Sequence, residues 1–164
     1  MPLAFVGLGA NIGDAKGRLR WATRELEALG RVRVSSLWAS APVGPIVHQP
    51  WFLNAVAALE TQLAPRALLD ALLAIEARAG RDRAREMSQG PRPLDLDLLL
   101  YDELVFAEAD GSLVVPHPRL HERAFALAPL AELAPAAVIP GKGRVADLLA
   151  VIAESQPLSL VCCF

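Results

Sequence analysis

Leu3 to Leu8 is a short, nearly all-apolar run, the pattern of a central strand. Gly9-Ala10-Asn11-Ile12-Gly13-Asp14 then turns the chain, and Asp14 is placed to cap a helix. From Ala15 to Leu29 the apolar residues Leu19, Ala22, Leu26 and Leu29 recur at helical spacing, with Gly30 as the stop. Val32 to Ala39 is rich in β-formers and predicts a second strand. Trp51 to Thr61 predicts a third. Its alternation puts Phe52, Asn54, Val56 and Ala58 on one face and Leu53, Ala55, Ala57 and Leu59 on the other. Pro65 opens a second helix near N1, where its missing N–H costs nothing; Leu68, Leu69, Leu72, Leu73, Ile75 and Glu76 carry it to Ala79, and Gly80 ends it. Leu94 to Tyr101 alternates apolar residues with Asp95 and Asp97 before a leucine run, a fourth strand.

Beyond Tyr101 the turn signals Asp102-Glu103 and Ala109-Asp110-Gly111-Ser112 flank short apolar pieces and predict a hairpin extension ending near Val115. A helix is expected from about Leu120 through Phe125 and Leu127, bent or broken at Pro129. Residues 138–152 predict an extended piece, a Gly141-Lys142-Gly143 turn and a last helix. The apolar tail Leu158 to Phe164 is a last strand or a core plug. No repeat, linker or low-complexity segment interrupts the order β-α-β-β-α-β. Two helices backing one face of an antiparallel sheet make this an α+β, ferredoxin-like arrangement in one domain spanning 1–164, with the hairpin and C-terminal helices added.

Composition narrows the function classes. With 54% hydrophobic and 21% charged residues the chain has the makings of a packed core. A net charge of −2 provides no global field to draw it to nucleic acid or anionic membrane, so any anion site is local. Lys16 and Lys142 are the only lysines; the other basic residues are arginines. Cys162 and Cys163 are adjacent, and neighbouring side chains diverge, so no disulfide framework is expected. The N-terminus lacks the basic lead of a signal peptide and is too short for a membrane span, which points to the cytoplasm. No obligate protein partner is evident.

The candidate chemistry centres on Gly90-Pro91-Arg92-Pro93-Leu94-Asp95-Leu96-Asp97. Residues two apart in a strand share a face, so Asp95 and Asp97 point the same way, about 7 Å apart at the Cα atoms. Carboxylates that close repel, and a hard divalent cation such as Mg²⁺ relieves the repulsion while leaving coordination positions for phosphates and water. A bare Asp-x-Asp is also the wet face of an edge strand. Arg81, Arg83, Arg85 and Arg92, all within a dozen or so residues upstream, favour the metal–phosphate reading, because arginine forks suit phosphate oxygens. As a second reading, the arginine-rich segment is a solvated loop paired with Asp82 and Glu86. Ser40 to Pro50 is a long loop with three prolines, and such loops are usually functional. Asn54, an amide on an apolar strand, is either a satisfied core asparagine or a reader of a flat polar ligand. His117, held between prolines, is rigidly presented.

Taken in order, Gly9-Ala10-Asn11, Val43-Gly44-Pro45, Gln49-Pro50, Phe52-Leu53-Asn54 and Gly80-Arg81-x-Arg83 form the first half of a distinctive pattern. Gly90-Pro91-Arg92-x-Leu94-Asp95-Leu96-Asp97, Val115-Pro116-His117 and Arg123-x-Phe125 complete it. Across nearly its whole length the chain resembles the 6-hydroxymethyl-7,8-dihydropterin pyrophosphokinases of folate biosynthesis. The resemblance implies transfer of the β,γ-diphosphate of ATP to the hydroxymethyl group of 6-hydroxymethyl-7,8-dihydropterin, leaving AMP. It implies Asp95 and Asp97 as ligands of two Mg²⁺ ions. Arg81, Arg92 and Asp97 take the catalytic positions, Arg81 and Arg92 being similar to the family's mobile and fixed arginines. Arg83, Arg92, Leu98, His117 and Arg123 fall at ATP-binding positions, Leu98 against adenine. The pterin would stack between Phe52 and Phe125, its edge read by Asn54 with help from Ser40, Ala41 and Val43. The chain departs from members that carry Arg-Trp before Gly-Pro-Arg: it has Ser88-Gln89, and one residue more between Arg83 and Gly90. Ser112 stands where some members have arginine, and Pro118 where some have tyrosine.

Three rivals stand beside this. An RNA-binding module would want exposed aromatics and a basic face, against 5% aromatic residues and a pI near 5.9. A decayed, ligand-sensing enzyme would have no need of Asp95, Asp97 and Arg92 together. Another Mg²⁺-dependent phosphoryl or nucleotidyl transferase is separated by its product, ADP rather than AMP.

Overall fold

The computed structural model describes residues 1–42, 48–82, 84 and 90–164. Strand β1 (Leu3–Ala10) is central, pairing antiparallel with β4 (Phe52–Glu60) on one side and β5 (Asp95–Tyr101) on the other. Strands β2 (Arg31–Val34) and β3 (Leu37–Ser40) both pair with β4, and β3 also carries β10 (Leu158–Cys162). The sheet therefore runs β10-β3-β4-β1-β5 with every pairing antiparallel.

Alternation along the strands divides the interior in two. Ala4, Val6 and Leu8 of β1 and Ala55, Ala57 and Leu59 of β4 face helices α1 (Ala15–Glu27) and α2 (Pro65–Arg78), which bury Leu19, Leu26, Leu68 and Leu72. Phe5, Val56 and Ala58 face the other way, onto α3 (Ala124–Leu133) and α4 (Val145–Ile152). The helices thus sit on both faces of the sheet, α1 and α2 on one and the C-terminal pair on the other. Asp14 caps α1 by accepting the Gly17 N–H at 3.0 Å, and Gly80 follows α2 at φ +91°, a conformation that favours glycine. Gly30 does more than stop α1: a Cβ there would stand 2.0 Å from the Glu60 carbonyl oxygen.

The expected second strand, Val32 to Ala39, is two strands. Four steps from Val34 to Trp38 face only three from Ala57 to Asn54, so β2 and β3 are joined by a bulge of one extra residue. Serine chemistry sustains it. The Ser35 hydroxyl accepts the Val56 N–H, its own N–H donates to the Val56 carbonyl, and the Ser36 N–H leaves the ladder for Glu132 on α3. The bulge turns Trp38 and Ser40 away from the α1–α2 side and onto the face of Asn54 and Phe52.

One further expectation is corrected, and the tail takes the first of its two expected forms. A 3₁₀ turn, Leu120–Glu122, precedes α3, and α3 continues through Pro129, because buried Ala126 to Leu130 pack the helix against the sheet strongly enough to override the proline. The tail is a strand, β10, with Leu160 and Val161 exposed, not a core plug. The hairpin is β6 (Phe106–Ala107) on β7 (Val114–Val115), clamped to α2 through Arg66, which binds Glu108 and Ser112. A last small ribbon, β8 (Val138–Ile139) on β9 (Gly143–Arg144), leads into α4. Among the described residues, no helix is long and apolar enough to cross a membrane.

Candidate active site

Across β1, Asp95 faces Gly9 and Asp97 faces Gly7; beyond those glycines β4 presents Asn54 and Val56. Two glycines in the middle strand leave the sheet bare between the acids and the asparagine. Over this floor opens a cavity of about 290 Å³, near the lower end of small-ligand clefts. Strands β3 and β4 contribute Ser40, Phe52 and Asn54, and Ala41 follows them. Strand β5 contributes Asp95 and Asp97, the segment leading to α3 contributes His117, Arg119 and Arg123, and α3 contributes Phe125.

The charges are arranged around the acids. Burial pushes Asp97 up to about 7 and the neighbouring Asp95 charge adds to it, while Arg123 pulls the other way. Burial also lowers the Arg123 guanidinium from its ordinary value, opposed by Asp97. His117 is held down to about 4, first by burial and then by the Arg123 charge, so it is a neutral imidazole at pH 7. Its Nδ1 accepts the Arg119 N–H at 3.1 Å, which places the remaining ring proton on Nε2. His117 is held in turn by its own N–H, which donates to the Leu99 carbonyl at 2.9 Å.

Arg92 stands beside the acids, its Nη1 donating to Asp95 Oδ2 at 3.2 Å and its guanidinium 5.8 Å from the centre of the Phe52 ring. A buried amide fixes its backbone. Asn11 Oδ1 accepts the Arg92 N–H at 3.0 Å, and the Asn11 N–H donates to the Arg92 carbonyl at 3.3 Å. Asn11 Nδ2 reaches the other loop, donating to Gln49 Oε1 and the Pro50 carbonyl. Asn54 Nδ2 donates to Ser40 Oγ at 2.8 Å and to the Trp38 carbonyl at 3.3 Å, so the amide is oriented as well as buried. Asn54 is thus a satisfied, buried asparagine that also lines the cavity.

Arg81 lies elsewhere. Its side chain is 5% exposed, and Nη1 donates to Glu76 Oε2 at 2.6 Å, to Asp95 Oδ1 at 2.8 Å and to the Leu94 carbonyl. Glu76, 1% exposed on α2, also accepts the Leu96 N–H at 2.8 Å. A buried carboxylate on the helix thereby holds an arginine against the first acid from behind.

Of the residues expected at the site, Ser40, Ala41, Phe52, Asn54, Arg92, Asp95, Asp97, His117, Arg123 and Phe125 meet in the one cavity. Leu98 packs on the α1–α2 side and lines a second depression with Leu69, Ser112, Leu113, His117 and Pro118; Asp97 lines both. Arg81 supports Asp95 and is not among the residues lining the cavity. Val43, Arg83 and the Ser88-Gln89 departure lie outside the described residues. Sequence reasoning passed over Gly7, Asn11, Glu76 and Gln156. Glu76 carried a signal, a carboxylate on the apolar stripe of α2 four residues after Leu72, and Asn11 stood in the Gly9-Ala10-Asn11 piece of the family pattern with no role assigned to it.

Comparison with known proteins places the chain. A model of the 7,8-dihydro-6-hydroxymethylpterin-pyrophosphokinase (HPPK) family matches residues 5–135. The chain is 44% identical over 145 residues to the 2-amino-4-hydroxy-6-hydroxymethyldihydropteridine pyrophosphokinase of Methylorubrum extorquens, covering 87% of this chain and 89% of the relative. To the protein of the same name from Haemophilus influenzae it is 37% identical over 164 residues, covering 98% and 99% of the two. In three dimensions it is similar to the wild-type HPPK-DHPS of Plasmodium falciparum solved with pteroate, with a TM-score of 0.73 and 13% identity over 93% of this chain. This chain covers 44% of that longer protein, and the likeness speaks for the fold. The chain belongs to the 7,8-dihydro-6-hydroxymethylpterin-pyrophosphokinase family.

Proposed function

We propose that this chain transfers diphosphate from ATP to the hydroxymethyl group of 6-hydroxymethyl-7,8-dihydropterin, giving AMP and the pterin diphosphate for folate biosynthesis. The observation that carries the reading is one cavity with two halves: an amide and two phenylalanines beside a bare sheet floor, and two acids ringed by arginines. The sheet order β3-β4-β1-β5, with α1 and α2 on one face, supports a ferredoxin-like core beneath it.

In this reading Phe52 and Phe125 bind the flat ring and Asn54, oriented by Ser40, reads its polar edge. The pterin hydroxyl oxygen attacks the β-phosphorus of ATP and loses its proton to solvent. The bond from that phosphorus to the α,β-bridging oxygen breaks, and AMP departs with the oxygen. Arg92 and Arg123 stabilise charge on the phosphate oxygens, and neutral His117 donates through Nε2. The donor set fits magnesium: Asp95 and Asp97 offer hard oxygen ligands, and burial and the Asp95 charge raise Asp97 to about 7, so a cation beside it would favour the ionised form. Two Mg²⁺ ions, when bound, would neutralise phosphate charge and acidify the attacking hydroxyl. Arg81 reaches the phosphates in this scheme only by giving up its hydrogen bonds to Glu76 and Asp95.

The deciding experiment incubates the protein with ATP, Mg²⁺ and the reduced pterin and separates the nucleotides. AMP in step with pterin diphosphate is expected. ADP instead of AMP would overturn the reading in favour of another phosphoryl transferase.

A further inference from the structure

We propose that Gln156 is a positioning residue: its carboxamide fixes the backbone on both sides of Arg123 and so aims Arg123 and Phe125 into the cavity. Helix α3 starts at Ala124, and its N-cap residue, Arg123, makes no capping hydrogen bond with its side chain. The first N–H of such a helix has no partner of its own. Gln156 supplies one. Its Oε1 accepts the Ala124 N–H at 2.9 Å, and its Nε2 donates to the Glu122 carbonyl at 2.8 Å. Between those two contacts Arg123 is held extended, at φ −118° and ψ 105°.

What is held there is the working end of the site. The Arg123 guanidinium lies 5.4 Å from the centre of the Phe125 ring, both side chains line the cavity, and the Arg123 charge is felt at Asp97. A rotation of the peptides around Arg123 would move both side chains together. Gln156 is itself fixed: its N–H donates to the Ile152 carbonyl at the end of α4 at 3.1 Å, and Pro157 follows. The carboxamide therefore adds a polar tie between the end of α4 and the start of α3, which also pack together through apolar side chains. Gln156 lies beyond residue 135, where the family match ends. The inference rests on the proposed diphosphate transfer, because only there do Arg123 and Phe125 act on substrates.

The test compares Gln156→Met, which keeps the length of the stem and loses both hydrogen bonds, with Gln156→Glu, which keeps the acceptor for Ala124. The readouts are kcat and KM for each substrate and, without ATP, the Kd of the reduced pterin by fluorescence titration. Circular dichroism melts set the temperature below the transition of every variant, so that loss of fold is not scored as loss of aim. The methionine variant is expected to lose about tenfold or more in kcat/KM, the scale of effect that misplaced groups produce. Its pterin Kd should weaken as well, and the glutamate variant, whose second oxygen meets the Glu122 carbonyl with no proton to give, should not recover the parent's values. A tie that merely joins α4 to α3 would lower the melting temperature and leave the pterin Kd unmoved. A methionine variant within about twofold of the parent, as for a neutral surface change, overturns the proposal. So does a glutamate variant equal to the parent, which would show that the bond to the Glu122 carbonyl fixes nothing. If the parent makes no AMP, the transfer reading fails; if the parent makes AMP beside an indifferent methionine variant, only the positioning role fails.

Discussion

Replacing Asp97 by asparagine removes a charge that the protein holds at a cost. The side chain titrates at about 7 in the fold against an ordinary 3.8, a difference of about three units. At about 1.4 kcal/mol per unit this sets a ceiling of about 4 kcal/mol on the penalty for the ionised form. Asp97 keeps part of its surface in solvent, and screening discounts the ceiling to about 1–2 kcal/mol. Because the folded pKa lies above the unfolded one, the native state binds the proton more tightly. The resulting stability is present in full below about pH 4 and is lost as pH rises through about 7. An amide at this position does not titrate, so D97N has no such loss. In thermal melts without metal, the variant should match the parent near pH 4 and exceed it by about 3–6 °C at pH 8, from about 2–4 °C per kcal/mol for a chain this long. Adding Mg²⁺ at pH 8 should raise the parent's Tm and leave the variant's in place, since the cation selects the ionised carboxylate. A gap that stays flat from pH 4 to pH 8, or a variant less stable at pH 8, would refute the reasoning.

Two further outcomes follow from packing. Glu76→Leu takes a carboxylate from the buried Arg81, which keeps Asp95, and strands the Leu96 N–H, so chemical denaturation should show a loss of about 1–3 kcal/mol, and an unchanged midpoint would mean that the Leu96 N–H is satisfied without Glu76. Gly30→Ala drives a methyl into the Glu60 carbonyl; urea melts should show about 2 kcal/mol or more of destabilisation, and an unchanged midpoint would show that the α1–β2 turn yields freely.

The order of elements along the chain and both acids were legible because strands have a strict period of two and helices a period near four. Asp95 and Asp97 share a face for that reason alone, and the structure sets them opposite Gly9 and Gly7. Trp38 was not legible. A regular strand puts it on the side of Val32 and Val34, and the extra residue at Ser35–Ser36 reverses it. Alternation has no way to register an inserted residue when every neighbour is a plausible β-former. Asn11 and Gln156 escaped for another reason. Their roles lie in contacts more than thirty residues away in sequence, to peptide groups and, for Asn11, also to the Gln49 side chain, and local periodicity encodes none of them. Glu76 was visible on its apolar stripe, but its partner, Arg81, was assigned instead to the phosphates.

The serine bulge makes the chain intolerant of length changes at one place. Delete a single amino acid between Val34 and Leu37 and, with the hydrophobic register of β2 kept, Trp38 and Ser40 would roll under the sheet while two small or apolar neighbours surfaced in their stead. Homologues should therefore vary in residue identity there far more freely than in spacing.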